Sequence, residues 1–141
     1  MQRKHSSSSN ACIRNVVFNT GMEEVARILQ SISSAASGIR VTFQEERNFR
    51  IECVVAFLVI LGALVVRVSL LEMAVLALAI GLVLALELVN TTLERLTDSI
   101  EPRHSPYLRV VKDCMAAAVL VASLSAMVVG ICVGFSVFIG R

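Results

Sequence analysis

Three long apolar segments constrain the fold of this chain more than any other feature of its sequence. They run from about Ile51 to Val66, from about Met73 to Leu93 and from Cys114 to Ile139. Each is near the ~20 residues that an α-helix needs to cross a hydrocarbon layer of about 30 Å. We therefore predict three transmembrane helices, at about residues 50–70, 72–97 and 112–139.

The composition indicates the same environment and excludes several classes of function. Of the 141 residues, 56% are hydrophobic and 17% are charged, and the mean hydropathy is +0.77. A chain this apolar is not an ordinary soluble domain. The net charge is +2, with one tyrosine and no tryptophan, and no basic cluster contains interleaved aromatics, so we expect no nucleic-acid partner. The four cysteines have no C-x-x-C spacing and imply neither zinc nor disulfides.

The residues before the first span divide into two parts. Residues 1–22 are basic and serine-rich, with no acid before Glu23, and we interpret them as a flexible extension, a transit peptide being the alternative. Residues from about 23 to 48 have mixed polarity. Their apolar members fall at helical spacing, at Val25, Ile28, Leu29 and Ile32. This pattern predicts an amphipathic helix on the membrane surface, with a small soluble cap as the alternative.

The distribution of Lys and Arg predicts the orientation in the membrane. Seven of these residues precede the first span, only Arg67 lies at the first turn, and four lie between the second and third spans. Positively charged loops stay on the cytoplasmic side. We therefore expect a multi-pass protein of the cell inner (plasma) membrane, with the N-terminus and the second loop cytoplasmic.

A polar stripe ends the second span. Glu87, Asn90 and Glu94 follow the uncharged run from Met73 to Leu86, and their spacing of three and four residues places them on one face of a helix. A carboxylate inside a span costs ~2.5 to 3.5 kcal/mol on insertion scales, so such an acid is a functional hypothesis by default. The alternative is that these groups pair with one another in the interior of a helical bundle.

Charged residues at the ends of all three spans lie at the same membrane face. Glu45 and Glu46 precede the first span, Glu94 ends the second, and Lys112 with Asp113 opens the third. Two carboxylates and a lysine suit a Mg²⁺-nucleotide complex, because the metal binds carboxylate and phosphate oxygens and lysine offsets phosphate charge. A carboxylate deeper in the span, such as Glu87, is placed to act as a base toward a lipid hydroxyl.

Two other classes of function remain open from the residues alone. In a small ion or proton conductor, the acids of the stripe would line a path across the membrane. In a non-catalytic assembly subunit, the same acids would hold helices together.

The polar stripe belongs to a longer motif. The sequence ELVNTTLE at residues 87–94, followed by Asp98 and by the pair Lys112-Asp113, resembles the signature of the prokaryotic integral-membrane diacylglycerol kinase and undecaprenol kinase family. The stretch ERNFRI at residues 46–51 and Gly38-Ile39-Arg40 before it match as well, so the resemblance covers the chain from about Arg27 onward. One departure is Arg103-His104-Ser105, where the family has a Glu-Tyr-His stretch near the nucleotide.

The resemblance implies an all-α membrane protein that forms a homotrimeric bundle. Each subunit would have three transmembrane helices and an N-terminal amphipathic surface helix, and the active sites would be shared between neighbouring subunits. The implied reaction is the ATP- and Mg²⁺-dependent transfer of a γ-phosphoryl group to the hydroxyl of a membrane lipid, diacylglycerol or undecaprenol. The undecaprenol kinase branch is slightly the closer of the two.

The same resemblance assigns roles to individual residues. Glu87 would be the catalytic base, and Glu46 and Glu94 would hold the Mg²⁺ ion. The nucleotide contacts would come from Lys112, Asp113, Asn90, Asp98 and Arg27. The lipid substrate would be bound by Arg40, Arg50 and Glu87.

Overall fold

The protein is entirely helical in the part of the chain that the structure describes. The computed structural model describes the backbone of residues 4–100 and 106–140 and the side chains of residues 23–100 and 106–140. Its four helices are α1 (Lys4–Glu45), α2 (Arg47–Val66), α3 (Leu70–Ile100) and α4 (Pro106–Ile139). By length and composition α2, α3 and α4 are each able to cross a membrane. The three predicted spans are therefore confirmed, and the chain is a multi-pass membrane protein.

The observed ends of the helices differ from those predicted from the sequence. The pattern predicts a surface helix from residue 23, whereas α1, the helix that contains this segment, begins at Lys4. The flexible extension over residues 1–22 stays a prediction. Both α3 and α4 are longer than the predicted spans 72–97 and 112–139. The reason is that hydropathy marks where a helix leaves the hydrocarbon layer, whereas backbone hydrogen bonds continue beyond it.

The turn between α2 and α3 is fixed by two capping motifs. Arg67 adopts the left-handed conformation (φ 57°, ψ 53°), and its N–H donates to the carbonyl of Leu64 at 3.2 Å, which ends α2 four residues before the predicted limit at residue 70. Ser69 then starts α3: the Glu72 N–H donates to Ser69 Oγ at 3.3 Å, and the Ser69 N–H donates to Glu72 Oε2 at 2.8 Å. This reciprocal pair is a capping box.

A break of one residue separates α1 from α2. Glu46 stands at this break with an extended backbone (φ −96°, ψ 120°). Arg50, in the first turn of α2, donates from Nη1 to the carbonyl of Gln44 at 2.7 Å and to that of Phe43 at 3.3 Å. These bonds satisfy carbonyl groups that the end of α1 leaves without helical partners. The break therefore holds Glu46 in a defined conformation at the start of the first span.

The chain divides into two compact units, residues 1–41 and residues 42–141. The first unit contains most of α1, where the apolar residues that predict an amphipathic helix are all exposed: Val25, Ile28, Leu29 and Ile32. Their location on a membrane surface stays a prediction. The second unit contains the break at Glu46 and all of α2, α3 and α4.

Helix α3 is the centre of the second unit, because it packs along α4 and also against α2. The buried apolar residues are Phe49, Ala63, Leu76, Val83 and Ala122. A small core is expected of helices in lipid, where apolar side chains can remain exposed and association depends on close packing. An apolar groove of about 780 Å³ runs between α2, α3 and α4, with Glu52 and Ser123 as its polar lining residues.

Candidate functional site

The polar stripe of α3 forms one connected surface. Glu87 is buried, with 5% of its surface exposed, and Asn90 and Glu94 are half-buried beyond it. Asn90 Nδ2 donates a hydrogen bond to Glu94 Oε1 at 3.1 Å. The amide therefore fixes the orientation of the Glu94 carboxylate, and the buried acid lies one to two turns deeper on the same helix.

Glu46 reaches this part of α3 from the break between α1 and α2. Arg95 Nη2 lies 2.8 Å from Glu45 Oε2 and 3.4 Å from Glu46 Oε1. Because Arg95 directly follows Glu94, this double ion pair places the Glu46 carboxylate beside the outer end of the stripe. The sequence analysis assigns Arg95 no role, so the structure adds it to the residues around the stripe.

The three predicted carboxylates lie close enough to interact electrostatically. Glu87 is repelled by both Glu94 and Glu46 when all three are charged. Acids from two separate segments of the chain thus both act on Glu87. A bound cation would relieve this repulsion.

Lys112 brings the start of the third span to the same side of α3. Its Nζ donates to Asp98 Oδ1 in an ion pair between α4 and α3. Asp98 lies four residues after Glu94, on the same helical face. The predicted phosphate-binding lysine is therefore held next to the outer end of the stripe, whereas Asp113 is exposed on α4.

The contacts that the structure gives Arg27 and Arg50 are with nearby parts of the chain. Arg27 belongs to the first unit, where it pairs with Glu23 at 3.7 Å and with Glu24 at 3.6 Å on its own helix. Arg40 is exposed in the same unit. Arg50 uses its guanidinium on the carbonyls that end α1. Their roles toward nucleotide or substrate stay predictions, and Arg103-His104-Ser105 lies outside the described residues.

Glu52 is a member of the site that the sequence interpretation missed. It lies inside α2, lines the apolar groove and is repelled by Glu87 when both are charged. Its Oε2 is buried without a hydrogen-bond partner among the described residues, and so is Asn90 Oδ1. The signal available in the sequence was an acid one residue inside the first apolar segment. Buried polar atoms normally have partners, so both atoms mark places where a substrate, water or second chain can donate a hydrogen bond.

The donor set fits a magnesium ion that arrives with a nucleotide. No group of three His, Cys, Asp or Glu residues suited to holding a metal occurs within residues 23–100 and 106–140. Mg²⁺ is usually bound by one or two carboxylates together with phosphate oxygens and water. Glu46 and Glu94 supply two carboxylates and leave the other coordination positions open, as a Mg²⁺-nucleotide complex requires.

Comparison with known proteins identifies relatives over most of the chain. Residues 33–134 match the family described as prokaryotic diacylglycerol kinase, a range that includes every predicted site residue except Arg27. A diacylglycerol kinase of Synechocystis sp. is 38% identical over 106 residues, which are 74% of this chain and 61% of that protein. An undecaprenol kinase of Bacillus subtilis is 33% identical over 108 residues, 77% of this chain and 88% of that protein. The chain thus spans less than two thirds of the Synechocystis relative and most of the Bacillus one.

Proposed function

Because the chain belongs to the prokaryotic diacylglycerol kinase family, a family of membrane lipid kinases, we propose that it transfers the γ-phosphoryl group of ATP to the hydroxyl of a membrane lipid. ATP would be used as its Mg²⁺ complex. The family predicted from the motif at residues 87–94 is confirmed by the match over residues 33–134. The activity of this chain and the roles below are our proposals.

One observation supports the assignment of the site: Glu46 forms an ion pair with Arg95, the residue that follows Glu94 on α3. Glu46 is directed there by the break between α1 and α2 and by Arg95, and Glu94 is oriented by the amide of Asn90. These two carboxylates would hold Mg²⁺. The ion, when bound, neutralises charge on the β- and γ-phosphates.

Glu87 is proposed as the base for the lipid hydroxyl. The hydroxyl oxygen would form a bond to the γ-phosphorus as the bond to the β–γ bridging oxygen breaks, and the hydroxyl proton would pass to the Glu87 carboxylate. Glu87 is buried about one turn after Val83 and Leu84, which line the apolar groove. This supports the role, because the acceptor hydroxyl is attached to hydrocarbon chains that need such a surface. ADP and the phosphorylated lipid would then leave.

Lys112 is proposed to contact the nucleotide phosphates. Its ion pair with Asp98 holds the ammonium group near Glu94 without burying it. A positively charged group in this position offsets charge on the transferring phosphoryl group, which is where most of the catalysis of phosphoryl transfer arises. Asp113, Arg27, Arg40 and Arg50 would add contacts to nucleotide or lipid.

The proposed assembly is a homotrimer whose active sites combine residues of neighbouring subunits. Two observations support an incomplete single chain. Glu52 Oε2 and Asn90 Oδ1 are buried without a hydrogen-bond partner in the described part of the chain, and the groove between α2, α3 and α4 is open. We propose that the site faces the cytoplasm across the inner (plasma) membrane, since Lys and Arg concentrate before α2 and between α3 and α4. ATP is available on that side.

A conductor is less well supported than a kinase. A path across the membrane needs polar groups along its whole length. The buried polar residues of α3 are Glu87, Thr91 and Thr97, all in its second half, and the groove beside α3 is lined almost entirely by apolar side chains.

Direct phosphorylation of a lipid tests the proposal. Purified protein with Mg²⁺ and γ-labelled ATP is offered diacylglycerol and undecaprenol in separate reactions, and labelled lipid is separated and identified. We expect label in one or both lipids, and none in either when Glu87→Gln replaces the wild-type protein. Absence of labelled lipid with both acceptors would contradict the proposed function.

A further inference from the structure

We propose that Arg95 is a positioning residue that serves as an exchangeable counter-cation for Glu46. Its guanidinium holds the Glu46 carboxylate beside Glu94 before nucleotide binds, and it stays with Glu45 when a divalent metal ion takes its place at Glu46. This inference rests on the proposed function, because it requires Glu46 to be a metal ligand.

The geometry of the two ion pairs supports an exchange. One nitrogen, Arg95 Nη2, makes both contacts, at 2.8 Å to Glu45 Oε2 and at 3.4 Å to Glu46 Oε1. The shorter contact belongs to the acid that has no proposed role in metal binding. Arg95 can therefore release Glu46 and keep a charged partner.

Repulsion between the acids explains why Glu46 needs a counter-cation when no metal is bound. Glu87 is repelled by Glu46 and by Glu94 when the three acids are charged. In the absence of metal this repulsion would drive Glu46, which stands on non-helical backbone at the break, away from α3. Arg95 compensates the charge in that state, and it is joined directly to Glu94, so it keeps the two proposed ligands together.

The ion pairs of Arg95 with Glu45 and Glu46 are poorly suited to stabilising the fold. The side chain of Arg95 is 43% exposed, and those of Glu45 and Glu46 are 61% and 35% exposed. Exposed ion pairs contribute little to folding because water screens them and the side chains lose freedom. The same exposure leaves the pair accessible to a metal ion arriving from water.

The test measures binding of Mn²⁺ to the purified full-length protein in the presence of a non-hydrolysable ATP analogue and without lipid, by electron paramagnetic resonance of unbound Mn²⁺. Mn²⁺ is chosen because it binds oxygen ligands as Mg²⁺ does. The variants are Arg95→Gln, Glu45→Gln, the double variant and Arg95→Lys. Arg109→Gln, which removes an exposed arginine of α4, is the charge-matched control.

If a metal ion replaces Arg95 at Glu46, the variants Arg95→Gln and Glu45→Gln should change the Mn²⁺ affinity in opposite directions. Arg95→Gln loses the hold on Glu46 in the metal-free state and also removes the competitor there. Because the metal itself holds Glu46 once it is bound, loss of the competitor should dominate and tighten Mn²⁺ binding about twofold to fivefold, the range expected for an exposed ion pair. Glu45→Gln leaves Arg95 with Glu46 as its acidic partner and should weaken binding by a similar factor. The double variant should bind as tightly as Arg95→Gln, because Glu45 acts only through Arg95. Arg95→Lys and Arg109→Gln should remain within about twofold of wild type.

Other results would overturn the proposal. If Arg95→Gln binds Mn²⁺ as wild type does, or more weakly, Arg95 does not compete at Glu46. If the double variant returns to the wild-type affinity, the two substitutions act independently through long-range charge. Should Arg95→Gln not fold, Arg95→Ala takes its place, alone and together with Glu45→Gln. A wild-type protein that binds no Mn²⁺ and phosphorylates no lipid would refute the proposed function as well, whereas unchanged variants of an active kinase refute only the role of Arg95.

Discussion

The side-chain amide of Asn90 donates a hydrogen bond to the carboxylate of Glu94 at 3.1 Å, one turn further along α3. This contact orients a proposed metal ligand through a residue that need not touch the metal itself. Partners of this kind typically change metal affinity or activity by about 10- to 100-fold when they are removed.

Asn90→Leu should therefore lower kcat/KM about 10- to 100-fold and raise the Mg²⁺ concentration needed for half-maximal activity. Leucine has a similar size, so packing on α3 should change little. Titration of lipid phosphorylation with Mg²⁺ measures the effect. Thr92→Val is the control, because the Thr92 hydroxyl donates to the carbonyl of Leu88 on its own helix. Equal losses in both variants would mean that α3 is disturbed as a whole.

Glu87→Gln should remove lipid phosphorylation while leaving nucleotide binding in place. Loss of a general base typically costs about 10²- to 10⁴-fold in rate. Glutamine keeps the shape of the buried side chain but cannot take up the hydroxyl proton. The rate is measured with saturating ATP and lipid, and nucleotide binding is measured separately by equilibrium dialysis. Retention of the wild-type rate would exclude Glu87 as the base.

Substitutions of Lys112 and of its partner Asp98 should have different effects on the kinetics with ATP. Lys112→Met removes the proposed phosphate contact and should lower kcat/KM for ATP about 10- to 100-fold, the range of a hydrogen bond to a charged group. Asp98→Asn only loosens the lysine and should have a smaller effect, mainly on KM. Because the pair is exposed, either variant should lose less than about 1 kcal/mol of folding free energy. A larger effect of Asp98→Asn would indicate that Asp98 itself contacts the nucleotide.

Arg67 provides a prediction about stability alone. Its left-handed backbone (φ 57°) ends α2, and glycine adopts this conformation without the steric cost that L side chains have there. Arg67→Gly should raise the free energy of unfolding by about 0.5 to 1 kcal/mol, and the β-branched Arg67→Val should lower it by about 1 kcal/mol. Thermal unfolding in detergent measures both. Lipid phosphorylation should not change, since Glu46 precedes the opposite end of α2.

The sequence predicts this fold well wherever one residue type dominates a segment. The three spans can be predicted because a helix in a bilayer must be apolar over its whole length in the hydrocarbon layer. The stripe of Glu87, Asn90 and Glu94 can be predicted because the spacing of residues along a helix determines which of them share a face. The contact between Arg95 and Glu46 joins residues that are 49 positions apart and depends on how α1 ends, so no local pattern contains it. Glu52 is visible in the sequence as an acid inside the first apolar segment, but only packing shows that its Oε2 is buried without a hydrogen-bond partner among the described residues.

The extended backbone of Glu46 has a consequence for how this site can be tuned. The direction of a metal ligand inside a helix is fixed by the helix, because backbone hydrogen bonds on both sides of the residue fix its torsion angles. At Glu46 the direction of the carboxylate depends on the two backbone rotations of one residue between helices. Substitutions in the neighbouring turns, such as a glycine or proline that shifts where α1 stops, could therefore re-aim a metal ligand while every residue that touches the nucleotide stays the same.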